Sequence, residues 1–158
     1  MKPQDILQTV NARLQEVEAL NYIDRNWGQL EQETPAVKFP CALSDIDIIQ
    51  YENTLNTAQT AECEVSVTVA CLNFYNTSAK APNKAKGYEV FDLLEAIHGV
   101  LHCFGTPELA PLTRQRLEKI ETGKDYSVYR LTYKTAFVTQ LQKSYNTIKP
   151  TIKLITRQ

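Results

Sequence analysis

Two stretches of apolar–polar alternation, separated by a long helical stripe, predict an α+β fold for this chain. The expected architecture has two layers, with a mostly antiparallel four-stranded sheet packed against two helices in the order α-β-β-α-β-β. The clearest strand is 61–75, where Cys63, Val65, Val67, Val69 and Cys71 alternate with Glu62, Glu64, Ser66 and Thr68. A second good strand spans 126–138, with Tyr129, Leu131, Tyr133 and Phe137 on one face. Between them, residues 85–105 place Val90, Phe91, Leu94, Ile97, His98, Leu101 and Phe104 at helical spacing, an apolar face broad enough to lie across a sheet.

The first helix is expected over residues 4–20. Pro3 fits the first turn and Asp5 the positive helix end, and Ile6, Val10, Leu14 and Val17 make one stripe that Leu7 and Leu20 widen. Residues 21–36 hold no steady period and read as a loop around Trp27-Gly28. Phe39-Pro40 then forces extended backbone, because proline turns its predecessor away from helical geometry. Cys41–Leu43 and Ile46–Ile49 form a strand of moderate quality, and 53–60 reads as a turn. The third strand is expected within 111–121, with Thr122–Asp125 as the hairpin turn into the fourth. Residues 1–141 make one domain. Residues 142–158, polar and basic with Ile148, Ile152 and Leu154 interspersed, make a C-terminal arm or an extra strand.

A chain of 158 residues suits one domain with a sizeable core. Seventeen basic and 18 acidic side chains give a net charge of -1, which offers a polyanion no long-range attraction and argues against nucleic acid as the main partner. No apolar run approaches a membrane span, and the polar Met1–Leu14 segment lacks the pattern of a secretory leader. Cys41, Cys63, Cys71 and Cys103 form no CxxC pair and read as free thiols, three of them on strands.

Chemistry-bearing clusters are sparse. His98 and His102 share one side of the central helix with Cys103 next to them, but these are the only histidines, and a zinc site takes about four ligands. Histidines that pack and donate one hydrogen bond explain the pair without a metal or cofactor. Asp45 and Asp47 fit a solvated strand face, and Lys80, Lys84 and Lys86 a solvated loop without stacking aromatics. No glycine-rich phosphate loop and no nucleophile–base set is present, so the reading is not that of an enzyme. The eight tyrosines stand out, since tyrosine is comfortable half-buried and enriched at protein interfaces. An interface is therefore expected on Tyr126, Tyr129, Tyr133, Tyr145, Ile148, Ile152 and Leu154.

The order of features also resembles a known family. An amphipathic helix leads to a loop with an isolated Trp, then Phe39-Pro40-Cys41-Ala42-Leu43, a Glu/Val-alternating strand, and a long helix ending Ile97-His98-Gly99-Val100-Leu101-His102. Over about residues 5–140 this texture resembles the small tail-completion or tail-terminator proteins of long-tailed bacteriophages and prophages. The resemblance implies a mostly antiparallel sheet with packed helices and a ring of copies, typically a hexamer. That ring would cap the tail tube and meet head-completion proteins in the virion tail or neck, after assembly in the bacterial host cytoplasm. The segment after Leu141 is longer than the family pattern requires, which leaves terminator, head–tail joining and neck roles open. The alternatives are an α+β adaptor of a cellular system and a small enzyme with an unrecognised site.

Overall fold

The computed structural model describes residues 1–55, 58–72 and 77–140. The chain runs α1 (Pro3–Leu14), β1 (Tyr22–Arg25), β2 (Cys41–Leu55), β3 (Ala58–Leu72), α2 (Glu89–Leu101), β4 (Thr113–Ile120) and β5 (Tyr126–Gln140). The strands form one sheet in the order β1-β2-β3-β5-β4, antiparallel except where β1 runs parallel to β2. The α+β class holds, with five described strands in place of four.

The first helix is shorter than its stripe. The Lys2 N–H donates to the Asp5 carboxylate at 2.8 Å and opens the helix, and regular turns stop at Leu14. Beyond it Glu16 bonds back to Arg13 and Val17 to Leu14, three residues each, so the chain tightens into turns. Val17 still reaches the core. The tightening redirects the chain into β1, which lies inside the segment read as loop. Tyr22 to Arg25 pair with Cys41 to Ser44. Only four residues long, β1 is too short for alternation to declare it.

The two weak strand pieces near Cys41 and Ile46 are one strand, β2, interrupted by a register shift between Ile46 and Ile48. The extra residue, Asp47, displaces the alternation by one and hides the strand's continuity. The carboxylates of Asp45 and Asp47 have different partners: Asp45 faces Arg25 Nε at 3.7 Å, and Asp47 accepts from Ser66 Oγ at 3.0 Å. The expected turn at 53–60 shrinks, because β2 continues to Leu55 and β3 begins at Ala58. β3 is the spine of the sheet, pairing along its whole length with β5.

Helices cover one face. Ile6, Val10 and Leu14 of α1 and Leu93, Leu94, Ile97 and Leu101 of α2 share a core with Val65, Val67, Val69, Leu131, Tyr133 and Phe137. Phe91, placed by periodicity on the apolar stripe, is exposed, while Leu93 is buried. α2 starts at Glu89, after a short 3₁₀ turn over Lys84–Tyr88. Arg13 fastens the two helices: its Nε donates to the Val100 carbonyl at 3.2 Å, and its guanidinium lies 4.6 Å from the Phe104 ring centroid.

The opposite face is not wholly wet, which corrects the strand reading. Ser66 and Thr68 are buried along with Ala70. At this end Leu30, Val37 and Phe39 pack on Cys41, Leu43, Ala70, Tyr126 and Val128, a second, smaller core. The segment between β1 and β2 is held there from below. Lys124 Nζ donates to the carbonyls of Leu30 and Gln32, each at 2.7 Å, and the Tyr126 hydroxyl to Leu30 at 2.8 Å. Buried Gln29 anchors it from inside, donating to the Arg25 carbonyl at 2.8 Å and accepting the Trp27 N–H at 2.9 Å.

Candidate assembly surface

The tyrosines expected to form an interface divide by burial. Tyr133 is wholly buried, its ring stacked 6.4 Å from that of His98. Tyr126 is buried against Phe39, with ring centroids 5.0 Å apart. Both serve the cores of their own chain. Alternation placed them on strands but carried no information about which faces the helices and the 26–40 segment would cover. Tyr129 is half-buried, edge-on to Phe91 at 5.7 Å, in the wall of a cleft of about 660 Å³ that Tyr88, Lys86 and Lys119 also line. Tyr145, Ile148, Ile152 and Leu154 lie outside the described residues.

A different surface emerges from the edges of the sheet. On the β4 side the edge is occupied or charged. β4 carries Arg114, Arg116, Glu118 and Lys119, with ion pairs Arg114–Glu95 at 3.0 Å, Arg116–Glu118 at 3.6 Å and Lys119–Glu121 at 2.8 Å. A register shift between Arg114 and Arg116 bends it. Alternating charge and a bulge are the usual means by which an edge strand resists further pairing. Past β4, Ala110 N–H donates to the Ala136 carbonyl at 2.7 Å, and the Met1 ammonium reaches the Val138 carbonyl at 3.1 Å.

On the other side β1 shields only Cys41 to Ser44. From Asp45 to Leu55 no described strand pairs with the outer edge of β2. Near this edge Ile48 and Tyr51 are each 48% exposed, and Val138 at the same end of β5 is 50% exposed. The Tyr51 ring meets Phe137 edge-on at 6.3 Å, which holds it in one orientation. The Ile46 N–H donates to the Asp45 carboxylate at 2.9 Å; beyond it, an edge with no described strand partner beside apolar side chains is a docking edge for another strand. The signal in sequence was Ile46–Tyr51 followed by a polar tip, but the bulge at Asp47 broke its period.

The histidine pair forms a small polar cluster beneath α2. The rings of His98 and His102 lie 4.6 Å apart between centroids, and His102 Nδ1 accepts the Arg114 backbone N–H at 3.4 Å. His98 Nδ1 and the Tyr133 hydroxyl are buried without a hydrogen-bond partner. Burial, then the nearby Arg114 and His102 charges, hold His98 below its ordinary pKa, and burial raises that of Tyr133. Among the described residues no cluster of three His, Cys, Asp or Glu side chains could hold a metal. No described helix is long and apolar enough to cross a membrane.

No protein-family model matches the chain, and no curated protein does. Among solved structures, it is similar to a chain from the "Virion of native gene transfer agent (GTA) particle", at 13% identity and a TM-score of 0.45. The match covers 84% of this chain and 90% of the other. At that score the likeness decides neither the fold nor the role of this protein.

Proposed function

We propose that this protein is a non-enzymatic structural component of a phage or prophage tail, which completes or caps the tail tube and helps join it to the head. The observation that carries this reading is the outer edge of β2, Asp45–Leu55, which no described strand covers and near which Ile48 and Tyr51 are exposed. Such an edge suits repeated, directional contacts between copies, and a contact of that kind closes into a ring when its rotation permits. The family texture in residues 39–43 and 97–102 points the same way, to a ring that is typically hexameric and has tail-tube and head-completion proteins as partners. Its site of action is then the virion tail or neck, with the bacterial host cytoplasm as the place of assembly.

The test is deletion of the gene from the element that encodes it, with particles scored by electron microscopy. Tails of uncontrolled length, or tails that fail to join heads, are the expected result. Normal-length tails joined to heads would overturn the tail reading and favour a cellular adaptor of the same build.

A further inference from the structure

We infer that the open β2 edge is the docking site for residues 147–157 of a second copy of this chain, which add to the sheet as an antiparallel strand. This rests on the self-assembly part of the reading above, and not on which particle the protein serves. The charge distribution singles out the occupant. Residues 141–158 contain Lys143, Lys149, Lys153 and Arg157 and no acidic side chain. Taking these four from the 17 basic side chains leaves 13 against 18 acidic ones, so residues 1–140 carry a net charge of −5. The edge itself bears Asp45, Asp47 and Glu52 and no Lys or Arg of its own, with Arg25 of β1 facing Asp45. Two such edges repel each other, which disfavours β2-to-β2 pairing, while the same carboxylates attract the basic C-terminal segment, which unlike the Lys80–Lys86 loop also carries strand-forming Ile and Leu side chains.

Length and composition agree. The edge from Asp45 to Leu55 and the segment from Thr147 to Arg157 are both eleven residues long. In the segment Ile148, Ile152, Leu154 and Ile155 supply apolar side chains for the surfaces beside Ile48, Ile49 and Tyr51. Pro150 removes one backbone donor, which an outermost strand tolerates and which discourages a further strand from adding beyond it. The position of the described end favours a neighbour over the chain's own edge. The described part of β5 reaches Gln140, paired with Ala58 at the tip of the β2–β3 hairpin, and has there the same direction as β2. Reaching its own edge would require reversal and a crossing of about three strand spacings, roughly 14 Å. Only residues 141–146 are available for it, and none is glycine or proline.

The experiment mixes full-length unlabelled and ¹⁵N-labelled protein, applies a zero-length carbodiimide cross-linker, and identifies the joined peptides by mass spectrometry. Cross-links from Lys149 or Lys153 to Asp45, Asp47 or Glu52 that combine both isotopes are expected. Joined peptides of one isotope only would place the segment on its own chain and overturn the inference, as would the absence of such cross-links. Light scattering on charge-reversed chains gives a second readout. Glu52→Lys with Asn53→Lys should weaken self-association at least tenfold, and Lys149→Glu with Lys153→Glu in the same chain should restore it. Unchanged association in the edge variant, or a parent that stays monomeric at every concentration, overturns the inference too. Mixed-isotope cross-links alongside normal tails in the gene deletion would leave the edge contact standing and remove only the tail reading.

Discussion

His98 and His102 lie one helical turn apart with their ring centroids 4.6 Å from each other, over the buried ring of Tyr133. The groups facing His98 are Glu95 on α2, His102 just past its end, Arg114 on β4 and Tyr133 on β5. Burial is the largest influence on its pKa and depresses it, with Arg114 and His102 adding to the effect and Glu95 opposing it. A histidine with a depressed pKa stays neutral in the folded chain while the unfolded chain takes up a proton. Stability is therefore undiminished above the ordinary pKa of about 6.5 and falls as pH drops from there through the lower folded value. Thermal melts between pH 7.5 and 5 should show a decline in midpoint that is smaller in His98→Gln. Parallel declines in the two proteins would remove His98 from the explanation.

Leu94 and Leu101 are effectively sealed from solvent in the core that α2 shares with β3 and β5. Truncating either to Ala removes contacts that the packed sheet cannot easily refill. Each should cost about 2–5 kcal/mol in urea unfolding, with the m-value preserved. Phe91→Ala is the contrasting variant: Phe91 is exposed beside Tyr88 and Tyr129, and its loss should cost well under half as much.

Both helices and the long strands β3 and β5 were legible because each has one face against a single large core, so burial imprints a period. The covering of the second face was not legible. Ser66 and Thr68 have the polarity of solvent-facing residues, and nothing local announces that their face of the sheet is partly covered. β1 escaped for a related reason, since its hydrogen bonds go to Cys41–Ser44, beyond an intervening aperiodic segment. At the candidate surface, tyrosine content pointed to assembly without distinguishing Tyr126 and Tyr133, which the cores absorb, from the apolar side chains left outside. Among the described residues, the uncovered length of β2 follows from the sheet order and from how short β1 is.

All four cysteines are free, Cys63 and Cys71 among them as expected, although Cys71 is only partly buried. Burial pushes the thiols of Cys41, Cys63 and Cys71 up to about 11, while Cys103 is exposed at the end of α2. Thiolate is the reacting form, so a native titration at pH 8 should show one fast thiol and three slow ones. In denaturant all four should react together. Loss of the fast phase in Cys103→Ser would assign it; a surviving fast phase would place Cys71 in solvent.

The Tyr133 hydroxyl is buried with no hydrogen-bond partner, and its ring is among the largest wholly buried groups. An unsatisfied buried hydroxyl carries a desolvation penalty of about 1–3 kcal/mol, whereas the ring contributes packing. Tyr133→Phe keeps the packing and removes the penalty, so its melting temperature should equal or exceed that of the parent. Tyr126→Phe is expected to do the opposite, because that hydroxyl donates to the Leu30 carbonyl and helps pin the 26–40 segment. A loss of about 0.5–1.5 kcal/mol is the expected size. A destabilised Tyr133→Phe would mean that its hydroxyl has a partner, such as an ordered water.

Truncation after Leu141 separates folding from assembly. The described members of both hydrophobic clusters lie between Met1 and Phe137, and the described pairing of β5 with β3 runs to Gln140. Removing residues 142–158 therefore takes none of the described core residues, and the shortened chain should melt cooperatively within a few degrees of the parent. It also sheds four positive charges, which leaves a more acidic body with an unoccupied β2 edge, so copies should repel more strongly at low salt. Self-association measured by light scattering should fall sharply while circular dichroism stays close to that of the full chain. If the truncated chain cannot fold, those residues belong to the core of their own domain, and the division at residue 141 is wrong.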